Sequence, residues 1–156
     1  MMISVIGASN PSAQSQELAA QVGRELAIKG ATVVCGGLSG IMESVSQGAK
    51  SAGGTTVGIL PGIDPKLANE WIDIPICTGI GYARNVIVVL SGRAVIAIDG
   101  AYGTLSEIAH ALSMDIPVVG LDTWNFSIDR VMDNQVVLAT TPADAVQKAL
   151  ELAKAR

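Results

Sequence analysis

The fold class is best predicted from residues 84–107, which read RNVIVVLSGRAVIAIDGAYGTLSE. Its centre, Ala94–Ile98, is continuously apolar, which predicts a strand buried on both faces of a sheet. A glycine-containing turn, Asp99–Gly103, follows this strand directly, and Thr104–Met114 has the apolar spacing of a helix. A buried strand, a glycine turn and a helix in this order are typical of a parallel α/β sheet.

The rest of the chain repeats this alternation of short apolar runs with longer helical patterns. The predicted strands are Ile3–Ile6, Thr32–Cys35, Thr55–Leu60, Ile72–Ile76, Ala94–Ile98 and Pro117–Leu121, with Val136–Ala139 as a further edge strand. The predicted helices are Ala13–Lys29, a segment that ends near Ala52, Tyr82–Ser91, Thr104–Met114 and a last helix capped by Thr141. Residues 122–135 have no clear pattern. The sequence therefore predicts one α/β domain over residues 1–156, a Rossmann-like three-layer α/β/α sandwich with a mostly parallel sheet of about six or seven strands.

The composition is that of a folded cytoplasmic protein. Apolar residues make up 49% of the chain and charged residues only 15%, which excludes a disordered protein. The net charge is −4 and no stripe of Lys or Arg is present, so nucleic acid is not an expected partner. The longest apolar stretch, Val86–Ile98, is interrupted and too short to span a membrane, and Met1–Gly7 lacks the basic start of a signal peptide. We expect self-association, because so few charged residues cover a monomer poorly.

The two cysteines, Cys35 and Cys77, have neither the spacing of metal ligands nor that of a disulfide framework. We expect both to be buried thiols in a reducing compartment. No metal site is predicted.

Glycine-rich turns follow three of the predicted strands. They are Gly7-Ala8-Ser9-Asn10, Gly36–Gly40 and Asp99–Thr104. Because ligands of open parallel sheets bind beyond the carboxyl ends of the strands, these turns would offer backbone N–H groups to a phosphate. The alternative is that the glycines only form tight turns. Neither a G-x-G-x-x-G dinucleotide fingerprint nor a P-loop lysine is present, so the predicted phosphate site is of another kind.

The motif spacing on both sides of the central strand is similar to that of a known family. Arg84-Asn85 precedes the strand, DGAYGTLSE follows it from Asp99, and Glu107 lies 23 positions after Arg84. The segment GGLSGIM, residues 36–42, supplies a second motif, and Gly7-Ala8-Ser9 supplies a third. In these motifs the chain resembles the Lonely Guy family of nucleoside 5′-monophosphate phosphoribohydrolases. It resembles even more the branch of that family that includes molybdenum-cofactor carrier proteins.

The chain departs from the family pattern at five positions. They are Asp99 in place of proline, Ala101 in place of the second glycine, Asn85 in place of lysine, Ser106 in place of the first of two glutamates, and Glu43 in place of glycine. The acid at Asp99 and the neutral Asn85 make the predicted pocket less cationic than that of the family. Such substitutions are expected of the carrier-like branch.

The resemblance also implies which residues are functional. Arg84 and Glu107 match the catalytic arginine and glutamate of the family. The expected ligand-binding residues are Gly7, Ser9, Gly36, Gly37, Gly40, Asn85, Asp99, Gly100, Ala101, Tyr102, Gly103 and Thr104. The family further implies a homodimer or homotetramer, no cofactor required for catalysis, and as the bound molecule a small nucleotide or a molybdopterin cofactor.

The chemistry of the two candidate catalytic residues fits this assignment. N-glycosidic cleavage passes through an oxocarbenium-like state, which a carboxylate such as Glu107 can stabilise. The alternative for Glu107 is structural, since Thr104 and Glu107 have the spacing of a capping box at a helix start. Arg84 opens a predicted helix, where a cation opposes the helix dipole, and this favours a ligand-binding role for it. Tyr102 would either stack on the ligand or simply be exposed.

The sequence is therefore consistent with three functions, of which the first two are the main alternatives. The first is hydrolysis of a nucleoside 5′-monophosphate to base and ribose 5-phosphate, with the phosphate held at Gly100–Thr104. The second is a non-catalytic carrier or binding protein for a nucleotide-like or molybdopterin cofactor, which would use the same phosphate cradle. The third is an interaction scaffold with a vestigial pocket.

Overall fold

A computed structural model describes residues 1–156, in which strands and helices alternate along the chain. The strands are β1 (Met2–Gly7), β2 (Thr32–Cys35), β3 (Thr56–Leu60), β4 (Ile74–Cys77), β5 (Val95–Ile98), β6 (Val118–Leu121), β7 (Phe126–Ile128), β8 (Val131–Asp133) and β9 (Val136–Ala139). The α-helices are α1 (Ala13–Ile28), α2 (Ile41–Ser51), α3 (Asn85–Ser91), α4 (Tyr102–Ser113) and α5 (Pro142–Ala155). Two 3-10 turns cover Pro65–Leu67 and Gly81–Arg84.

Seven of the strands form one sheet in the order β4-β3-β2-β1-β5-β6-β9, and every neighbouring pair is parallel. This confirms the predicted parallel sheet. All four residues of β5 are buried, as their continuous apolar character predicts for a central strand. Val136–Ala139 forms the edge strand β9, which is also confirmed.

Helices cover both faces of the sheet, which confirms the three-layer sandwich. Helices α1, α2 and α5 pack on one face around a cluster that includes Leu26 and Ile41. Helices α3 and α4 pack on the other face around a cluster that includes Val88 and Ile108. Successive side chains of a strand point to opposite faces, and β5 accordingly contributes Ile96 to the first cluster and its flanking residues to the second.

The strand order reverses between β1 and β5, and this reversal positions the site. After β1 the chain places β2, β3 and β4 successively on one side, and then returns to place β5 on the other side of β1. Gly7 at the end of β1 pairs in register with Ile98 at the end of β5, so the turns that follow the two strands lie side by side. Open α/β sheets bind ligands in the crevice that forms at such a reversal.

A short hairpin occupies part of residues 122–135, the segment without a clear sequence pattern. Strands β7 and β8 pair with each other in antiparallel fashion and form a separate two-stranded sheet. Asp129 and Arg130 connect them with φ angles of 52° and 67°, which suits a two-residue hairpin turn of the primed type.

The prediction that both cysteines are buried is wrong for Cys77. Cys35 lies buried in the sheet, whereas Cys77 is exposed at the end of β4. The reason is that β4 is an edge strand, and all four of its residues are exposed. The predicted helix Tyr82–Ser91 also divides into the 3-10 turn Gly81–Arg84 and helix α3. None of the helices combines the length and the apolar character needed to cross a membrane.

Candidate functional site

A cavity of about 310 Å³ opens at the reversal between β1 and β5. One wall comes from the end of β1 and the turn after it, which include Gly7 and Ser9. Another comes from the turn after β2 with Gly36 and from Met42 of α2. The segment that leads into α3 and the first two turns of α4 complete the cavity. Its walls therefore come from the glycine motifs that lie far apart in the sequence.

Arg84 directly precedes α3, and its side chain lines this cavity. Its side chain is only 6% exposed. The Nη1 group donates a hydrogen bond to Oδ1 of Asn85, and Nη2 donates to the carbonyl oxygen of Gly36 at 3.3 Å. The Nε–H group is shielded from solvent and has no hydrogen-bond partner in the protein. Burial lowers the pKa of Arg84, but an arginine remains charged at neutral pH.

Glu107 reaches the cavity from α4, which packs beside α3 on the same face of the sheet. It is 7% exposed, and its carboxylate accepts no hydrogen bond from the protein. Burial raises the pKa of Glu107 from 4.5 to about 7, although the positive charge of Arg84 acts to lower it. Arg84 and Glu107 form no ion pair within 4.0 Å. The cavity is thus lined by a cation and a titratable carboxyl that form no ion pair with each other.

The start of α4 supplies a group of free hydrogen-bond donors. Ala101 is the N-cap residue and makes no side-chain capping bond. The first backbone bond into the helix runs from the N–H of Leu105 to the carbonyl of Ala101, and the N–H groups of Tyr102, Gly103 and Thr104 donate to no protein acceptor. A side chain at Gly103 would meet nothing within 4 Å, so the space beside these donors is open. This combination of free donors and helix dipole favours an anion.

Two glycines allow the walls of the cavity to approach each other closely. A Cβ atom at Gly36 would lie 2.6 Å from Nη2 of Arg84 and 2.6 Å from the sulfur of Met42. A Cβ atom at Gly7 would lie 2.4 Å from the carbonyl oxygen of Ile98. All three distances are below van der Waals contact. The oxygen near Gly7 belongs to the backbone, so only glycine fits there, whereas the side-chain ends near Gly36 would have to move aside.

Comparison with known proteins places this site in a family. The model of the SLOG cluster4 family matches residues 1–150. The chain belongs to the SLOG cluster4 family. Together with the similarity to a cytokinin riboside 5′-monophosphate phosphoribohydrolase and to a molybdenum cofactor carrier protein, this match confirms the motif resemblance to Lonely Guy and carrier-like proteins.

Individual relatives of this SLOG cluster4 member point in two functional directions. An uncharacterized protein of Archaeoglobus fulgidus is 48% identical over 72% of this chain and 74% of its own length. The cytokinin riboside 5′-monophosphate phosphoribohydrolase of Mycobacterium tuberculosis is 34% identical over 78% of this chain and 71% of its own. The structure of the molybdenum cofactor carrier protein of Chlamydomonas reinhardtii superimposes with a TM-score of 0.88 and 34% identity, and covers 99% of this chain and 98% of the carrier.

The cavity of this SLOG cluster4 member brings together most of the residues that the sequence singled out. Those that line it are Gly7, Ser9, Gly36, Arg84, Asn85, Ala101, Gly103, Thr104 and Glu107. The prediction that Thr104 caps its helix is wrong, because α4 begins at Tyr102 and Thr104 is its third residue. The capping box with Glu107 is therefore not formed.

The other predicted ligand-binding residues lie beside the cavity. Gly37 and Gly40 have φ angles of 73°, and a Cβ at either would meet neighbouring backbone or side-chain atoms at 3.0 Å or less. Asp99 and Gly100 line a separate, more open depression together with Trp124. Tyr102 is exposed, and its ring centroid lies 6.0 Å from that of Trp124.

Sequence reasoning missed several residues of the cavity wall. Leu38 and Met42 belong to the GGLSGIM motif, but only its glycines were selected. Tyr82, which is 90% exposed, stands two residues before Arg84 and lines the mouth of the cavity. The sequence position of all three could have indicated their place in the cavity, because each lies within or next to a recognised motif.

Proposed function

We propose that this protein binds a nucleoside 5′-monophosphate in the cavity and hydrolyses its N-glycosidic bond. The observation that carries the proposal is the pair of buried side chains, Arg84 and Glu107, which face one cavity without forming an ion pair. A buried cation and a carboxyl kept apart in this way leave their hydrogen-bonding groups available to a ligand. The similarity to the phosphoribohydrolase of M. tuberculosis supports this direction.

The phosphate of the ligand would bind at the start of α4. The free N–H groups of Tyr102, Gly103 and Thr104 are directed to this position, and the helix dipole adds a favourable field. Thr104 is buried and lines the cavity, so its hydroxyl adds a further donor. A phosphate held here would place the ribose beside Glu107, one turn further along the same helix.

Glu107 would act in its ionised form. Hydrolysis breaks the bond between C1′ and the base nitrogen, and the electron pair leaves with the base, which takes up a proton. The oxygen of a water molecule forms the new bond to C1′. A carboxylate next to C1′ stabilises the positive charge that develops there and accepts the proton of the attacking water. Arg84, which lines the cavity, would orient the ligand with its positive charge.

The test is release of free base. The protein is incubated with AMP, GMP, CMP and UMP, and the products are separated by chromatography. We expect the wild-type protein to release base from at least one of them, and Glu107→Gln to lower the rate by about two to four orders of magnitude. The matched control is Glu151→Gln on the exposed face of α5, which should keep the wild-type rate. Base release that is equal in wild type and Glu107→Gln would contradict the proposal.

A second candidate function is a non-catalytic carrier. The observation that favours it is the superposition of nearly the whole chain on the carrier of C. reinhardtii. The donors at the start of α4 and the guanidinium of Arg84 suit the terminal phosphate of a molybdopterin cofactor as well as that of a nucleotide. AMP binding in calorimetry without base release from any nucleoside monophosphate, together with molybdenum that elutes with the protein after incubation with molybdenum cofactor, would favour this function.

A further inference from the structure

The guanidinium of Arg84 is held by two neutral acceptors and by no carboxylate. Asn85 Oδ1 accepts from Nη1, and the carbonyl oxygen of Gly36 accepts from Nη2. These are the only protein hydrogen bonds of this side chain. A buried cation would normally be expected to approach the nearest carboxylate, because an uncompensated buried charge is costly. Here the nearest carboxyl in the cavity belongs to Glu107, and no ion pair is formed.

The two acceptors fix the guanidinium from different directions. Asn85 is the first residue of α3 and is itself buried, so its amide has little freedom to move. Gly36 follows β2 and approaches so closely that a Cβ atom would collide with Nη2. Asn85 can accept this hydrogen bond because its side chain carries a carbonyl oxygen. A lysine, which has three donors and no acceptor, could not do so.

We propose that Asn85, supported by Gly36, is a positioning residue that keeps the Arg84 guanidinium from collapsing onto the carboxyl of Glu107. This inference rests on the proposed function of the cavity. It adds the reason why Arg84 and Glu107 do not pair with each other and can both contact a ligand. Arg84 and the unpartnered carboxyl of Glu107 then line the same cavity without pairing with each other, so one ligand can contact both. Asn85 acts through Arg84 in this account and need not touch the ligand.

The proposal is tested on ligand-free protein by following the titration of the Glu107 carboxyl carbon by NMR. The other titratable groups that act on Arg84 are Cys35 and Tyr82, and both stay unchanged in the variants. Asn85→Leu keeps the size of the side chain and removes the acceptor. We expect the freed guanidinium to pair with Glu107 and to lower the midpoint of its titration by about one unit or more. Arg84→Met should raise the midpoint, because it removes the charge that lowers it.

The double variant decides whether Asn85 acts through Arg84. In the Arg84→Met background, Asn85→Leu should shift the Glu107 midpoint by less than about 0.3 unit, since no guanidinium is left to move. A lowered midpoint in Asn85→Leu that persists in the double variant would overturn the proposal, and so would an unchanged midpoint in Asn85→Leu alone.

A second variant covers the case in which Asn85→Leu does not fold. Gly36→Ala places a Cβ atom against Nη2 and should displace the guanidinium from the other side, again lowering the midpoint. Gly62→Ala is the matched control, because a Cβ atom there meets nothing within 4 Å, and it should leave the midpoint unchanged. If the midpoint of the Glu107 titration is the same in Gly36→Ala as in the wild type, the proposal is overturned.

The titration separates this inference from the proposed hydrolysis. A protein that releases no base but shows the expected shifts retains the positioning role and loses the catalytic one. A protein that releases base but shows no shift of the Glu107 midpoint in Asn85→Leu retains the catalytic role and loses the positioning one.

Discussion

At the scale of single residues, burial alters the acidity of the Glu107 carboxyl. Its pKa rises from 4.5 to about 7, since the cavity wall removes water from the carboxyl more effectively than Arg84 stabilises its charge. A carboxyl of this kind changes charge near neutral pH. It therefore links the stability of the protein to pH and, in the proposed reaction, the rate as well.

The stability prediction follows from the sign of this shift. Because the folded protein binds the proton of Glu107 more tightly than the unfolded chain, the stabilisation is fully present below about pH 4.5 and is lost as pH rises through about 7. Relative to Glu107→Gln, the wild-type protein should lose about 3 kcal/mol of unfolding free energy between pH 4.5 and pH 8. Urea unfolding of both proteins at the two pH values measures this difference. A difference that does not change with pH would show that Glu107 is not buried as described.

The activity prediction concerns the same carboxyl. If Glu107 acts as a carboxylate, kcat/KM for base release should rise with pH to a plateau, with a midpoint near 7 in the free enzyme. A pH series from 5.5 to 8.5 with the best nucleoside monophosphate would measure it. A rate that falls over this range would instead assign Glu107 the role of a proton donor.

At the scale of elements, the start of α4 is the proposed phosphate site. Gly103→Asp should weaken AMP binding at least tenfold in calorimetry, because a carboxylate in the open space beside the free N–H groups repels the phosphate. Gly62→Asp, in an open loop, is the matched control for the added charge and should bind AMP as the wild type does. If folded Gly103→Asp binds AMP with wild-type affinity, the phosphate lies elsewhere.

The elements that could be predicted from the sequence are those with a strong local pattern. The strand Ala94–Ile98 was predicted because its apolar run has no polar break, and Thr141-Pro142 predicted the start of α5 because it combines a cap with a proline at the first helical position. The hairpin β7–β8 was missed because it lies outside the main sheet and its side chains are mostly exposed. The start of α4 was placed two residues too late, because Thr104 has the chemistry of a cap whereas Ala101, the actual N-cap, makes no side-chain bond.

The site was predictable in part for a similar reason. The rule that ligands bind at the carboxyl ends of parallel strands, together with the motif resemblance, predicts that Arg84 and Glu107 belong to one ligand site. The hydrogen bond from Arg84 to Asn85 and the clearance that Gly36 provides depend on three-dimensional distances of a few ångströms, and no sequence spacing encodes them.

At the scale of the whole molecule, one surface is unusually poor in charge. Residues 74–92 contain a single charged residue, Arg84, which is buried. Exposed apolar side chains along this segment include Ile74, Ile80 and Leu90. Tyr82 belongs both to this surface and to the mouth of the cavity. An apolar surface of this kind is typical of a protein interface.

We therefore predict that the protein is a homodimer or a larger homo-oligomer through this surface. Light scattering at micromolar concentration should give at least twice the monomer mass of 16.0 kDa. The double variant Ile74→Lys and Leu90→Lys should shift the protein toward the monomer, because it places charges on the exposed edge strand and on α3. A wild-type particle of 16.0 kDa would contradict the prediction.

The measurement that tests the central claim most directly is a crystal structure of Glu107→Gln with AMP, in which hydrolysis is slowed and the ligand is preserved. We expect the phosphate to accept hydrogen bonds from the N–H groups of Gly103 and Thr104 at the start of α4. We also expect C1′ of the ribose to lie beside residue 107, with Arg84 in contact with the ligand. A phosphate bound away from the start of α4, or a ribose turned away from residue 107, would contradict it.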